Sequence, residues 1–249
     1  MTMFEAMEAR HAVRSYQDKK IENVIVDALK KEISDCNQEG GLSIQLILND
    51  KDVFKGLMAH FAGFRGVSNY IALVGLADDK SEEKLGYYGE RIALKAQQLG
   101  LNTCWVGATF KRERCKAIIG DKEELICVLA LGYGSTQGVP HKSKLMDQLC
   151  KADKDMPEWF RKGVNAAMLA PTAQNKQDFL IVLNREQVEF EVKESKFSKV
   201  DLGIIKYHFE NGATLSRSGG FGEQPQQAFL RPRRGCKNSK RYTLALLTV

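Results

Sequence analysis

Gly163–Arg185, GVNAAMLAPTAQNKQDFLIVLNR, is the stretch on which the reading of this chain turns. It completes a helical pattern begun at Glu158, breaks at the polar run after Pro171, and resumes as Asp178–Asn184, an aliphatic run of strand length. The same order of elements occurs in Ala28–Asp50, ALKKEISDCNQEGGLSIQLILND, which lays over it without gaps at an offset of 135 residues. In both, the strand closes on an aliphatic triplet and an Asn. Leu85-Gly86 and Leu202-Gly203 each open a further helix in the same relation. Chance likeness between two helix–strand units is the alternative; if the repeat is real, the chain holds two related α/β units.

Outward from the repeat, Met3–Glu8 reads as a short opening helix. Lys20–Cys36 is a longer one, with Ile21, Val24, Ile25, Ala28, Leu29 and Ile33 as its apolar stripe and Gly40-Gly41 as the turn after it. Leu42 to Leu48 alternates as a strand. Asn69–Leu76 is apolar almost throughout and reads as a buried central strand. Ser81–Leu99 is a long helix stopped by Gly100. Two strands, Asn102–Gly107 and Glu124–Tyr133, are expected around a short helix at Arg112–Ile119. Lys151–Met156 is polar and ends at Pro157, the expected join, which puts one unit at residues 1–150 and a shortened one at 151–213. Val188–Val192 and Asp201–Asn211 read as a strand and an amphipathic helix of that second unit.

The net charge of +6 belongs wholly to the last stretch. From Thr214 to Val249 the bases are Arg217, Arg231, Arg233, Arg234, Lys237, Lys240 and Arg241, and Glu223 is the acid. The body is balanced and offers no polyanion-binding signal. This tail, residues 214–249, is rich in Gly, Gln, Arg and Ser. It is expected to be disordered, with Leu244–Val249 as a stray strand, and its abrupt change of composition is what a shifted reading frame would produce. No apolar run approaches the roughly 20 residues of a membrane span. MTMFEAMEAR has no apolar signal core, so a cytoplasmic protein is expected. The four histidines and six cysteines show neither metal-ligand spacing nor a C-x-x-C pair, so no metal site is expected, and Cys36 and Cys104 read as packing residues.

Two polar motifs remain. Arg10-His11-Ala12-Val13-Arg14-Ser15-Tyr16 places two guanidiniums four residues apart at a helix exit, where both can converge on one anion; a solvated surface pair is the alternative. Ala170-Pro171-Thr172-Ala173-Gln174-Asn175-Lys176-Gln177 offers a Pro-shaped turn with short polar side chains, and Gln177 as its support. With Leu85–Gly107, Cys115–Ser135 and Asp178-Phe179, these stretches resemble the FMN-dependent nitroreductase family, over residues 1 to about 213. Arg10–Tyr16 is similar to its opening basic motif. Ala170–Phe179 is similar to its A-P-S-x-x-N-x-Q-P-[WF] loop, with Asp178 where the family has Pro.

The resemblance implies an α+β nitroreductase-like fold in which two related units, fused in one chain, imitate the family homodimer. The first unit keeps the basic motif but has Asp35–Gly40 where the loop would be; the second keeps the loop but has Asp155–Trp159 where the basic motif would be. The resemblance further implies one FMN per chain. Arg10, His11 and Arg14 would hold the phosphate, with Ala12 lacking the family's usual serine hydroxyl. Lys142 or Lys144, from Pro140–Lys144, would add a third cation, unless that run is simply a solvated surface. Gly107 and Ala108 would let backbone N–H groups approach the ring, unless they form a plain turn after a strand. Pro171, Thr172 and Asn175 would line the flavin from the second unit. The implied activity is NAD(P)H-dependent reduction of nitroaromatics, quinones or similar small acceptors by hydride transfer through flavin N5, with NADH or NADPH as reductant. No side chain is nominated as catalytic, because the flavin itself carries the redox chemistry. No G-x-G-x-x-G opens a helix after a strand, which argues against a Rossmann site. A monomeric pseudo-dimer, with neither membrane nor nucleic-acid partner, is expected. A flavin-binding protein with little turnover, and a polyanion binder acting through the tail, are the alternatives.

Overall fold

The computed structural model describes residues 1–153, 155–185, 187–214, 232–233 and 239–244. The chain divides into two compact units, Met1–His141 and Lys142–Val249.

In the first unit, Thr2 and Glu5 form a reciprocal cap at the start of helix α1 (Met3–Ala9), Thr2 N–H donating to Glu5 Oε2 at 2.8 Å and Glu5 N–H to Thr2 Oγ1 at 3.2 Å. Helix α2 (Asn23–Gly40) comes next, and Gly41 ends it in the left-handed region. Its buried face is Val26, Leu29, Ile33, Cys36 and Gly40, spaced three and four apart; Val24, expected in the stripe, is 71% exposed, and Ile21 is buried but precedes the helix. Strand β1 (Gln45–Ile47), helix α3 (Leu57–Phe61), strand β2 (Asn69–Leu76), helix α4 (Asp79–Gln98) and strands β3 (Asn102–Val106) and β4 (Glu123–Gly132) complete the unit. The sheet runs β1-β2-β4-β3, antiparallel throughout. Burial of β2 from Asn69 to Gly75 explains why its sequence is continuously apolar rather than alternating. Asp78 caps α4 by accepting from Ser81 N–H at 2.7 Å, and Gly100 beyond its end has φ of +80°.

The helix expected at Arg112–Ile119 is a single turn, Arg112–Arg114. Beyond it the backbone is bonded to remote side chains instead. Lys116 N–H donates to Tyr70 Oη at 3.1 Å, Ile118 N–H donates to Gln45 Oε1 at 2.9 Å, and Gln45 Nε2 donates to the Ile118 carbonyl at 2.7 Å.

The second unit begins nine residues earlier than the expected 151, at Lys142. Helix α5 (Met146–Leu149) leads into strand β5 (Cys150–Ala152), which pairs in parallel with strand β6 (Phe179–Asn184) and so ties this segment to the second sheet. Helix α6 (Glu158–Ala167) precedes β6; strand β7 (Gln187–Lys193) and helix α7 (Ser198–Thr214) come after. The tail departs from its expected disorder at two places. Strands β8 (Pro232–Arg233) and β9 (Ser239–Leu244) extend the sheet in the order β5-β6-β7-β9-β8, because the far edge of β7 needs a partner for its N–H and C=O groups and β9 supplies one, from Val188 opposite Leu244 to Lys193 opposite Ser239. Thr214 ends α7, and the rest of the tail, including Ala245–Val249 of the expected stray strand, lies outside the described residues.

Helices α6 and α7 approach closely at Gly163 and Gly212. A Cβ at Gly212 would stand 2.5 Å from Ala166 Cβ and 2.6 Å from the Lys162 carbonyl oxygen, neither able to move aside. Gly212→Ala therefore lowers stability by about 1–3 kcal/mol despite its better helix propensity, read as a lower urea midpoint with unchanged m-value. A midpoint at or above wild type would contradict this packing.

Candidate functional site

The basic motif leaves α1 as extended chain and is held by backbone on both sides. Val13 N–H donates to the Thr103 carbonyl of β3 at 3.1 Å, Arg65 N–H to Arg14 at 2.9 Å, Tyr16 N–H to Arg65 at 3.0 Å and Gln17 N–H to Tyr133 at 2.8 Å. The return at Gly66 admits only glycine: φ is +66°, and a Cβ would lie 2.3 Å from the Tyr16 carbonyl oxygen. Val13 and Tyr16 point inward, whereas Ala12 and Arg14 are exposed and His11 is half-buried.

The two arginines therefore do different things. Arg10 is buried, its Nε 3.4 Å from Glu90 Oε1 on α4, and Glu90 Oε2 accepts from Trp105 Nε1 at 2.8 Å. Arg14 lies with its guanidinium 5.9 Å from the Phe64 ring centroid. Burial pushes the nearby Cys104 thiol up, and the charges of Arg14 and Arg10 pull it back. Gly107 and Ala108 form the bend directly after β3, the strand to which Ala12 is bridged through Thr103. A cavity of about 510 Å³ in this unit, lined by Lys19, Lys20, Asn49, Lys51 and Lys116 among others, contains none of the expected site residues.

In the second unit the loop after α6 is strained. Gln174, Asn175 and Gln177 have φ of 55°, 54° and 50°. Left-handed backbone costs a residue with a Cβ about 1–2 kcal/mol, less for Asn, so the loop needs anchors. Gln177, 3% exposed, is one. Its Nε2 donates to the Lys142 carbonyl at 2.8 Å and to Asn175 Oδ1 at 3.0 Å; its Oε1 accepts from Lys144 N–H at 2.9 Å. Its own N–H donates to Thr172 Oγ1 at 3.0 Å, and its carbonyl accepts from Lys144 Nζ at 3.0 Å. Asn175 Nδ2 adds a bond to the Lys142 carbonyl at 3.0 Å. Asp201, on the first turn of α7, is a second anchor, accepting from Ala173 N–H at 2.9 and 3.2 Å. Burial pushes the Asp201 carboxyl up to about 7; the Ala173 bond opposes the shift and the nearby Asp178 charge adds to it.

Thus Arg10, His11, Arg14, Gly107 and Ala108 gather in the first unit, and Lys142, Lys144, Pro171, Thr172 and Asn175 in the second. Pro171 and Thr172 are half-buried, and Asn175 and Lys142 are exposed. The Lys144 ammonium serves the loop, bonded to Gln177 and 3.6 Å from Asp178 Oδ1. Sequence reasoning does not nominate Glu90 or Asp201. The signal for Glu90 is a carboxylate among Leu85, Tyr88 and Ile92 on one helix; for Asp201 it is an acid beside Val200 and Leu202. Among the described residues, no three His, Cys, Asp or Glu side chains group to hold a metal, and no helix is long and apolar enough to cross a membrane.

An α+β chain whose basic N-terminal motif and A-P-T-A-Q-N-K-Q loop are both pinned in this way has a nitroreductase-like architecture. A family model described as "Putative TM nitroreductase" matches residues 2–213, and the chain belongs to that family. The match ends where the composition changes. A "putative nitroreductase" from Thermotoga maritima has a crystal structure similar to this one, with a TM-score of 0.66 at 19% identity over 98% of this chain and 94% of that one. A "putative nitroreductase in complex with FMN" from Desulfovibrio desulfuricans matches with a TM-score of 0.49 at 16% identity, over 63% of this chain and 99% of that one. An FMN-dependent nitroreductase from Clostridium difficile matches with a TM-score of 0.41 at 21% identity, over 53% and 87%. No match was found among curated proteins.

These anchors make two outcomes measurable. Glu90→Ala leaves the Arg10 charge buried without its carboxylate and lowers stability by about 3–5 kcal/mol in urea unfolding; a loss below about 1 kcal/mol would show that the pair is not what stabilises this end of α1. The second concerns pH. Asp201 binds its proton more tightly folded, at about 7, than at its ordinary 3.8. Its contribution is therefore most favourable below 3.8, declines as pH rises between the two values and levels off above about 7. The stability advantage of Asp201→Asn over wild type accordingly grows from about pH 4 to about pH 7 and then flattens. An advantage independent of pH would contradict the shift.

Proposed function

We propose that this protein is an FMN-dependent NAD(P)H oxidoreductase that reduces nitroaromatic, quinone or similar small acceptors. The observation that carries the reading is the division of the motifs within a family member: the first unit offers an exposed arginine on a braced segment, and the second offers the strained polar loop. We read the two units as related halves, each retaining the motif the other lacks.

The donor set suits a phosphate-bearing planar group. Arg14, exposed and oriented by Phe64, takes the phosphate with a planar fork. Arg10 acts from behind, fixing the segment through Glu90, and His11 adds a donor. The exposed Lys142 ammonium is the second cation; Lys144 holds the loop. In the first unit Gly107 and Ala108 leave the backbone after β3 open to a flavin ring, and in the second Pro171, Thr172 and Asn175 are the residues the loop offers to one. When bound, the flavin supplies hydride transfer between NAD(P)H and the acceptor. The protein's residues hold and orient it, and the absent Ala12 hydroxyl forgoes one phosphate bond, about 0.5–1.5 kcal/mol.

A second reading, flavin binding with little turnover, is favoured by the commitment of Lys144 to Gln177 and Asp178, which leaves fewer cations for the phosphate. Purified full-length protein separates the two. The oxidoreductase is yellow, retains FMN through gel filtration, and bleaches on anaerobic addition of NADH or NADPH, with colour restored by a quinone. Arg14→Ala weakens FMN binding by about 1.5–3 kcal/mol, roughly tenfold to a hundredfold. Colour without bleaching selects the second reading, and a colourless protein that takes up no added FMN overturns both.

A further inference from the structure

Three of the four residues from Gln174 to Gln177 carry a left-handed φ without being glycine. Such a run persists only where its surroundings over-determine it. The Gln177 bonds tie the far end of the loop to Lys142 and Lys144. At the near end Ala173, the residue that enters the run, donates its N–H to Asp201. Asp201 stands on α7, which is held against α6 by the close approach at Gly163 and Gly212, and α6 itself leads into the loop. The carboxyl is therefore fixed in space relative to the start of the loop. It faces one described charged neighbour that acts on its ionisation, Asp178 at the head of β6, whose own charge is met by Lys144.

We propose that Asp201 is a positioning residue: by accepting the Ala173 N–H it sets the left-handed turn of residues 174–177 and so presents Pro171, Thr172 and Asn175 in the conformation that meets the flavin. The last step rests on the flavin reading above; the setting of the loop does not. An acceptor at residue 201 is what the loop requires, and a negative charge strengthens the bond without being needed for it. Asn at this position therefore preserves the turn, whereas Ala abolishes the anchor and leaves the Ala173 N–H unmatched.

The test compares full-length wild type, Asp201→Asn and Asp201→Ala by amide hydrogen exchange, by amide chemical shift against pH, and by FMN titration. In Asp201→Ala the protection of the Ala173, Asn175 and Gln177 amides falls about tenfold or more while β2 and β4 amides keep theirs, and FMN affinity falls about tenfold. Asp201→Asn retains both within about threefold. The wild-type Ala173 amide proton moves downfield as pH rises through about 7, and that of Asp201→Asn does not. Unchanged loop protection in Asp201→Ala overturns the proposal. So does a loosened loop with unchanged FMN affinity, which leaves the flavin reading standing. A loosened loop in a protein whose wild type binds no FMN fails the flavin reading alone. Should Asp201→Ala not fold, a wild-type Ala173 resonance that ignores pH overturns the proposal, and one that titrates, with Asp201→Asn flat and FMN-competent, supports it.

Discussion

A carboxylate removed from water must be matched by donors, and in each unit of this protein that requirement fixes a segment carrying residues of the proposed site. Glu90 lies on the buried face of α4 and is answered by Arg10 and Trp105. Asp201, half-buried on α7, is answered by the Ala173 N–H. Leaving either acid unmatched is expensive because the solvation lost on burial is several kcal/mol. The helices cannot move to relieve it, since α4 and α7 fill the interiors of their units. The surface segments therefore settle around the acids. The two carboxylates are not repeat-equivalent: when Leu85-Gly86 is laid over Leu202-Gly203, Glu90 falls after the shared pair and Asp201 before it. The units reach the same end with different residues.

The consequence for the basic motif is a separation of roles. A sequence with two arginines four apart suggests two equal hands on one anion. Extended backbone after α1 removes that symmetry, because residues four apart in a strand stand about 13 Å from each other along the chain, whereas in a helix they would share one face. Arg10 stays inside with Glu90, and Arg14 emerges beside Phe64. One guanidinium braces the segment and the other is exposed.

What the sequence revealed and what it concealed divide along the range of the interactions. Elements decided by local pattern were legible. The apolar run Asn69–Leu76 is β2 to the residue, Gly100 marks the end of α4, and the break between Leu169 and Phe179 is the loop. Elements decided by a distant partner were not. Lys116 and Ile118 have the pattern of a short helix, but Tyr70 and Gln45, far away in the chain, bond their backbone in another conformation. Cys150–Ala152 looks like the edge of a linker until Ile181–Leu183 pairs with it. Arg10 looks exposed until Glu90 is placed behind it. The motif residues themselves could be nominated from sequence; which of them face outward could not, because that depends on partners that no spacing shows.

Asp178 illustrates how a departure from a family pattern is absorbed. Where the loop motif it resembles has proline, this chain places a charge beside the strained turn, acting on Asp201. Two interactions compete to decide what that charge does. Its ion pair with Lys144, with both side chains about 40% exposed, is worth no more than about 1 kcal/mol. The Gln177 network comprises six bonds at a nearly buried residue, each worth about 0.5–1.5 kcal/mol, and dominates the geometry. The loop therefore keeps its shape whether or not the ion pair forms. What Asp178 can still alter is the ionisation of Asp201, because like charges act over distances at which a weak contact no longer matters. The charge at 178 is therefore mechanically minor and electrostatically secondary: it leaves the turn where Gln177 holds it, and it adds to burial, the main cause, in disfavouring the charged form of the carboxylate that anchors the loop's other end.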